Sequence, residues 1–115
     1  MAAIDELHKA IDHYHDLLHQ APNDLGLLIN LAWSYERTGQ FPEAIQEFRR
    51  AIDFNGSDYN AHYGLALAFM GNGQTQQARS EFQQARELAA DSDDRSATVV
   101  IAKQIDSIAH RLGTR

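Results

Sequence analysis

Apolar residues recur along this chain at three- and four-residue spacing, in successive short runs broken by glycine, proline and Asn/Asp clusters. Such runs predict amphipathic helices. The first, over 4–21, carries Ile4, Leu7, Ala10, Ile11, Tyr14, Leu17, Leu18 and Ala21 on one face. Pro22 stops it, because proline disfavours a helical conformation in the residue before it. Asn23 and Asp24 are N-cap candidates for a second helix over 25–38, with Leu28, Leu31, Ala32 and Tyr35 inward. Gly39 suits the left-handed position that ends a helix. Pro42 suits the first turn of a third helix, which turns Ala44, Ile45, Phe48, Ala51 and Ile52 inward and ends near Asn55 and Gly56.

The second half reads the same way. Ser57 or Asp58 caps a fourth helix with Leu65, Ala66 and Phe69 inward, closed by Gly71, Asn72 and Gly73. Thr75 caps a fifth, with Ala78, Phe82, Ala85 and Leu88 inward. The acidic stretch Asp91, Ser92, Asp93, Asp94 is a loop and a cap, since carboxylates favour a helix N-terminus. The last helix, over 95–112, carries Ala97, Ile101, Ile105, Ile108 and Leu112 on one stripe and ends at Gly113. No segment reads as a strand, so the expected fold is all-α, with about six helices.

Composition narrows the partners rather than the fold. A length of 115 residues fits one domain, 1–115, and 43% hydrophobic residues suffice for a modest core. The net charge of −6 argues against nucleic acid or an anionic membrane, either of which needs a basic face. Without cysteine there is no disulfide framework, thiolate nucleophile or thiolate metal site. The first residues lack a basic, apolar leader, and no apolar run approaches the ~20 residues that span a bilayer. A cytoplasmic protein with no membrane insertion is expected.

Shifting the chain by 34 residues superimposes 25–58 on 59–92. The identical pairs are Leu31/Leu65, Ala32/Ala66, Gly39/Gly73, Gln40/Gln74, Ala44/Ala78, Glu47/Glu81, Phe48/Phe82 and Ala51/Ala85. Most are small or apolar positions of the kind that touch between stacked helices. The pattern resembles the tetratricopeptide repeat, W-x-x-L-G-x-x-Y, A-x-x-x-F and a closing proline. It runs here through Leu28, Leu31, Ala32, Tyr35, Ala44, Phe48 and Gly56, then through His62, Leu65, Ala66, Phe69, Ala78, Phe82 and Ala90. A preceding half-copy holds Ala10, Tyr14 and Pro22. The tryptophan of the family pattern is replaced by Leu28 and His62, and its proline survives only as Pro22. The resemblance implies a right-handed helix-turn-helix superhelix, a tetratricopeptide-like α-solenoid. It would comprise a half-repeat helix (4–21), repeats at 25–58 and 59–92, and a capping helix (95–112) that matches best as Ile101, Ala102 and Ile105, two residues out of strict period.

The family's first helices line a concave face that binds extended peptides or helices of other proteins. By resemblance the groove positions are Ile29, Asn30, Trp33 and Arg37, then Asn60, Tyr63, Gly64, Leu67 and Met70, then Val99, Val100 and Lys103. Spacing supports this separately, because Ile29 and Trp33 sit at i, i+4 beside the inward stripe and Tyr63 and Leu67 repeat the placement. Gly64 is read as a place where a ligand backbone can approach. The alternative is that Trp33 and Tyr63 thicken the core. Family members that hold a terminal carboxylate use a Lys, Asn and Arg clamp. Here Ile29, Trp33 and Gly64 stand in three of those places, so an apolar peptide or amphipathic helix is the expected ligand.

Other chemistry is sparse. His8, Asp12, His15 and His19 form a stripe on the first helix that could contribute to a zinc or nickel site. With no second element to complete four ligands, it reads as a solvated face, and no metal or cofactor is expected. His13, His62 and His110 look isolated, and Glu43, Glu47, Asp53, Glu81 and Glu87 look like solubilising outer-face charges. There is no phosphate loop, nucleophile elbow or His-Glu-x-x-His, so no enzyme is expected. Arg79 and Arg86 replace Ile45 and Ile52, which suits a side that meets water or the acidic loop, or alternatively a rim for an acidic partner. The first helix lacks a preceding partner, so a homodimer through a two-fold contact is the alternative to an adaptor role.

Overall fold

The computed structural model describes residues 2–92 and 95–111. Asp93, Asp94, Leu112, Gly113 and the side chains of Ile108, His110 and Arg111 lie outside that description. Six helices follow one another: α1 (Ala2–Gln20), α2 (Leu25–Arg37), α3 (Phe41–Phe54), α4 (Tyr59–Gly71), α5 (Thr75–Asp91) and α6 (Arg95–Arg111). Each packs on the next, and α2 also touches α4, giving a slab of 47 × 32 × 21 Å.

The turns repeat because their residues repeat. Asp24 accepts from Leu27 N, and Asp58 accepts from Asn60 N and Ala61 N, so each first-type helix starts on an aspartate cap. After α2 the Gly39 N–H bonds Glu36 O while Gln40 N–H bonds Tyr35 O, and after α4 Gly73 bonds Met70 O while Gln74 bonds Phe69 O. This is the Schellman closure, and it needs the positive φ of Gly39 (78°) and Gly73 (79°). The chain then enters α3 and α5 directly. Thr75 is the first helical residue, not the cap; the cap position is Gln74, whose side chain makes no capping bond.

The core is the small and apolar set that the repeat singled out. Leu28, Leu31, Ala32, Ala44, Phe48, Ala51, Ala66, Ala78, Phe82 and Ala85 are buried, with Leu65, Tyr35 and Phe69 close behind. Ala61, Ala68 and Ala89 join them, and Leu88 is only half-buried because α5 turns Ala89 inward in its place. Alanine-rich contacts bring helix axes close, so the bulky rings must find room at a few sites. Gly64 gives Phe48 that room. A Cβ there would lie 2.2 Å from the ring.

The face away from the groove repeats as well. His15 Nε2 and the Tyr35 hydroxyl share a 2.6 Å hydrogen bond, and one period later Arg49 stacks over Phe69 at 5.4 Å. Burial, then the nearby charges of Glu47, Glu43 and Asp12, raise the Tyr35 pKa, so the phenol keeps its proton.

Candidate functional site

The first-type helices carry the sequence-derived groove residues, and the structure sorts them. Trp33 and Tyr63 are half-buried and face each other, ring centroids 6.3 Å apart. Beneath them, Trp33 stands edge-on to Phe48 at 5.2 Å and Tyr63 edge-on to Phe82 at 5.6 Å. Edge-to-face contacts of this kind hold rings in fixed orientations. Four aromatic side chains therefore make a continuous ladder, two in the core and two at the surface. The Trp33 and Tyr63 rings thus rest on the core and remain partly open to the surface.

Ile29, Leu67 and Met70 are half-buried beside the ladder, while Asn30, Arg37, Asn60 and Lys103 are exposed. Gly64 does not line the groove: it is buried under the Phe48 ring and offers no approach to a ligand backbone.

Between α4 and α6 lies a mainly apolar cleft of about 300 Å³, lined by Tyr59, Asn60, Tyr63, Ala97, Val100 and Ile101, with Ser96 at its edge. Aligning Ile101 and Ala102 with Leu65 and Ala66 sets Val100 on the place of Gly64. Gly64 is buried beneath the Phe48 ring, whereas Val100 is 49% exposed and lines the cleft. Tyr59, Ala97 and Ile101 were not among the sequence-derived groove residues. The i, i+4 pair Ala97 and Ile101 on the α6 stripe was the available signal.

Val99 is placed elsewhere. It is 54% exposed and borders a separate depression with Ala90, Arg95 and Thr98, on the α5 side of α6. Adjacent helical residues diverge by about 100°, so Val99 and Val100 cannot both face the groove.

Two charged residues assigned to outer faces are structural. Glu47 is buried and pairs with Arg50 at 3.0 Å. Glu81 accepts from His62 Nδ1 at 2.9 Å, while His62 Nε2 lies 3.0 Å from Gly56 O. His62 is thus buried and bonded, not isolated. A carbonyl only accepts, and so does a carboxylate, so the two contacts together favour the ring with both nitrogens protonated, the imidazolium. The Glu81 bond is the largest cause raising the His62 pKa; burial opposes it, and the Gly56 bond and the charges of Glu81 and Asp58 add to it.

The sign follows from linkage. A raised folded pKa means the pair contributes fully below the unfolded value of about 6.5, and that contribution is lost as pH rises through the folded value. Urea unfolding followed by circular dichroism should show wild-type stability falling over that rise. His62→Leu, the residue found at the equivalent Leu28, should flatten this component; an unchanged pH slope would remove the imidazolium assignment.

Among the described residues no group of three or more His, Asp and Glu side chains is placed to hold a metal ion. His15 is engaged with Tyr35, while His8, Asp12 and His19 are exposed. No helix among the described residues is long and apolar enough to cross a membrane.

The profile of the tetratricopeptide repeat matches residues 3–59 and again 29–95. The chain belongs to the tetratricopeptide repeat family. No curated protein sequence matches it. Solved tetratricopeptide-like structures do resemble it in fold. PcrH in complex with the chaperone binding region of PopD superimposes with a TM-score of 0.86 at 17% identity, over 93% of this chain and 81% of that one. The type III secretion translocator chaperone SycD of Yersinia enterocolitica gives 0.88 at 15% identity, over 96% and 77%. The first tetratricopeptide domain of Spaghetti, bound to an HSP90 peptide, gives 0.81 at 22% identity, over 96% and 82%. At these identities the likeness is one of fold: a right-handed helix-turn-helix superhelix, which in this member of the family carries an aromatic ladder through Trp33, Tyr63, Phe48 and Phe82.

Proposed function

We propose that this chain is a non-catalytic interaction module that binds an apolar peptide or amphipathic helix of another protein in its concave groove. The observation that carries this reading is the Trp33–Tyr63 pair running into the cleft beside Val100. Tryptophan and tyrosine are the usual anchors of protein interfaces. A cleft of about 300 Å³ with an apolar lining suits one large aliphatic or aromatic side chain of a bound segment. Two of the structures similar in fold are complexes with a segment of another protein, the chaperone binding region of PopD and an HSP90 peptide. The apolar residues at positions 29 and 33 favour an uncharged anchor here over a terminal carboxylate.

Capture of a partner from lysate tests it. Val100→Glu changes a residue that is 49% exposed and should leave helicity intact while placing a charge in the cleft. Trp33→Ala and Tyr63→Ala remove the anchors. All three should lose at least ten-fold in capture, equivalent to about 1.4 kcal/mol. Undiminished capture by all three folded variants would refute the groove as the binding site.

A further inference from the structure

We propose that copies of this chain associate head to tail, α6 of one copy packing on α1 of the next to complete a helix pair. In α3 the residues Ala44, Phe48 and Ala51 are fully buried, and in α5 so are Ala78, Phe82 and Ala85. Their equivalents in α1 are Ala10, Tyr14 and Leu17, and all three are only half-buried. Ile4, one turn before Leu7 on the same helix, is 43% exposed. Among the described residues α1 packs on α2 and has no first-type helix against its other side.

The complementary half stands on α6. Ala32 and Ala66, which lie at the close approach within each pair, are fully buried. Their equivalent Ala102 is half-buried, as is Ile105, the equivalent of Phe69. Thr98 takes the place of His62, the residue that reaches Glu81 on the second helix of its own pair. Thr98 also borders the apolar depression of about 390 Å³ with Ala90, Arg95 and Val99. That depression therefore lies on the side where a second-type helix belongs, and α1 is a second-type helix.

Charge selects the occupant. α1 carries Asp5, Glu6, Asp12 and Asp16 against Lys9, a net −3, whereas the described side chains of α6 carry Arg95 and Lys103 against Asp106, a net +1. A two-fold contact through α1 would bring like charges together, while α6 against α1 brings opposite ones. The contact is heterologous and need not close into a ring, so assembly should continue past the dimer as concentration rises. It is independent of what the groove binds.

Sedimentation of the purified chain, with no added partner, tests this through two blocked variants. Ala10→Glu places a carboxylate on the α1 face and Ala102→Glu places one on the α6 face. Both positions are half-exposed in a single copy, so folding, checked by circular dichroism, should survive. The wild type should show a mass that rises with concentration beyond twice that of one copy. Each variant alone should remain a monomer. Their equimolar mixture should double in mass and stop at the dimer, because each variant keeps the face that the other lacks. A wild type that stays monomeric at high micromolar concentration overturns the proposal. So does an Ala102→Glu variant that still dimerises, which would mean a two-fold contact through α1. A mixture that stays monomeric also overturns it. Should either variant fail to fold, Tyr14→Glu and Ile105→Glu replace them with the same readings.

Discussion

Phe48→Ala should cost about 3–5 kcal/mol, the range for deleting a buried aromatic ring. Phe48 is fully buried, stands edge-on to Trp33 at 5.2 Å and fills the space over Gly64. It therefore joins α2, α3 and α4, and the neighbouring rings cannot follow a lost one without giving up their own contacts. A small domain is stable by only about 5–15 kcal/mol, so this loss is a large share of the total. Thermal unfolding should drop by more than ~10 °C. The fluorescence of Trp33, the single tryptophan, reports the same event locally. Phe54→Ala is the control, since Phe54 is 52% exposed and its loss should stay within about 1 kcal/mol. Equal effects at 48 and 54 would mean that the ring at 48 is not the joint described.

The second large effect is Gly64→Ala. Alanine is better than glycine in a helix by about 1 kcal/mol, so propensity alone predicts a gain. Sterics predict the reverse, because the new Cβ would lie 2.2, 2.3 and 2.9 Å from three atoms of the Phe48 ring. Overpacking of a close-packed site costs about 1–3 kcal/mol or more, and a fully buried ring cannot swing aside, so the net change should be a loss of about 2 kcal/mol. Gly26→Ala meets nothing nearer than Asp24 Oδ1 at 3.4 Å and should be neutral or mildly stabilising. The pair can be separated further by a double-mutant cycle. In a Phe48→Ala background the clash is gone, and Gly64→Ala should turn neutral or stabilising. Additive losses in the cycle would show that the glycine serves some purpose other than receiving the ring.

These two predictions also mark the boundary of what the chain discloses in one dimension. Gly64 in the sequence is a permissive residue on a helix, and its freedom suggested access for a ligand. In three dimensions the space is already taken by a side chain sixteen residues earlier. His62 likewise read as isolated because its partners, Gly56 O and Glu81, lie on a turn and on the facing helix. The recurrence of Glu47 and Glu81 at one repeat position was a signal that these carboxylates do more than solubilise. The step of about 100° between adjacent helical residues already divided Val99 from Val100; which of the two faces α4 depended on how α6 packs.

The sequence by itself determined the six helices, the glycine turns, the repeat and the identity of most core residues, and narrowed two helix caps to neighbouring pairs of candidates. Those features rest on interactions within one or two helical turns, or on a periodicity that any reader of the chain can lay over itself. Only the tertiary structure decided that Trp33 meets Tyr63, that the Phe48 ring lies over Gly64, that Val100 lines a cleft with Tyr63, and that Ala10 and Tyr14 stay half-buried where their equivalents are fully buried. Each of those depends on the distance between helices that are remote in the chain. That distance is set by side-chain volume at the contact, as where a glycine admits a whole phenylalanine ring.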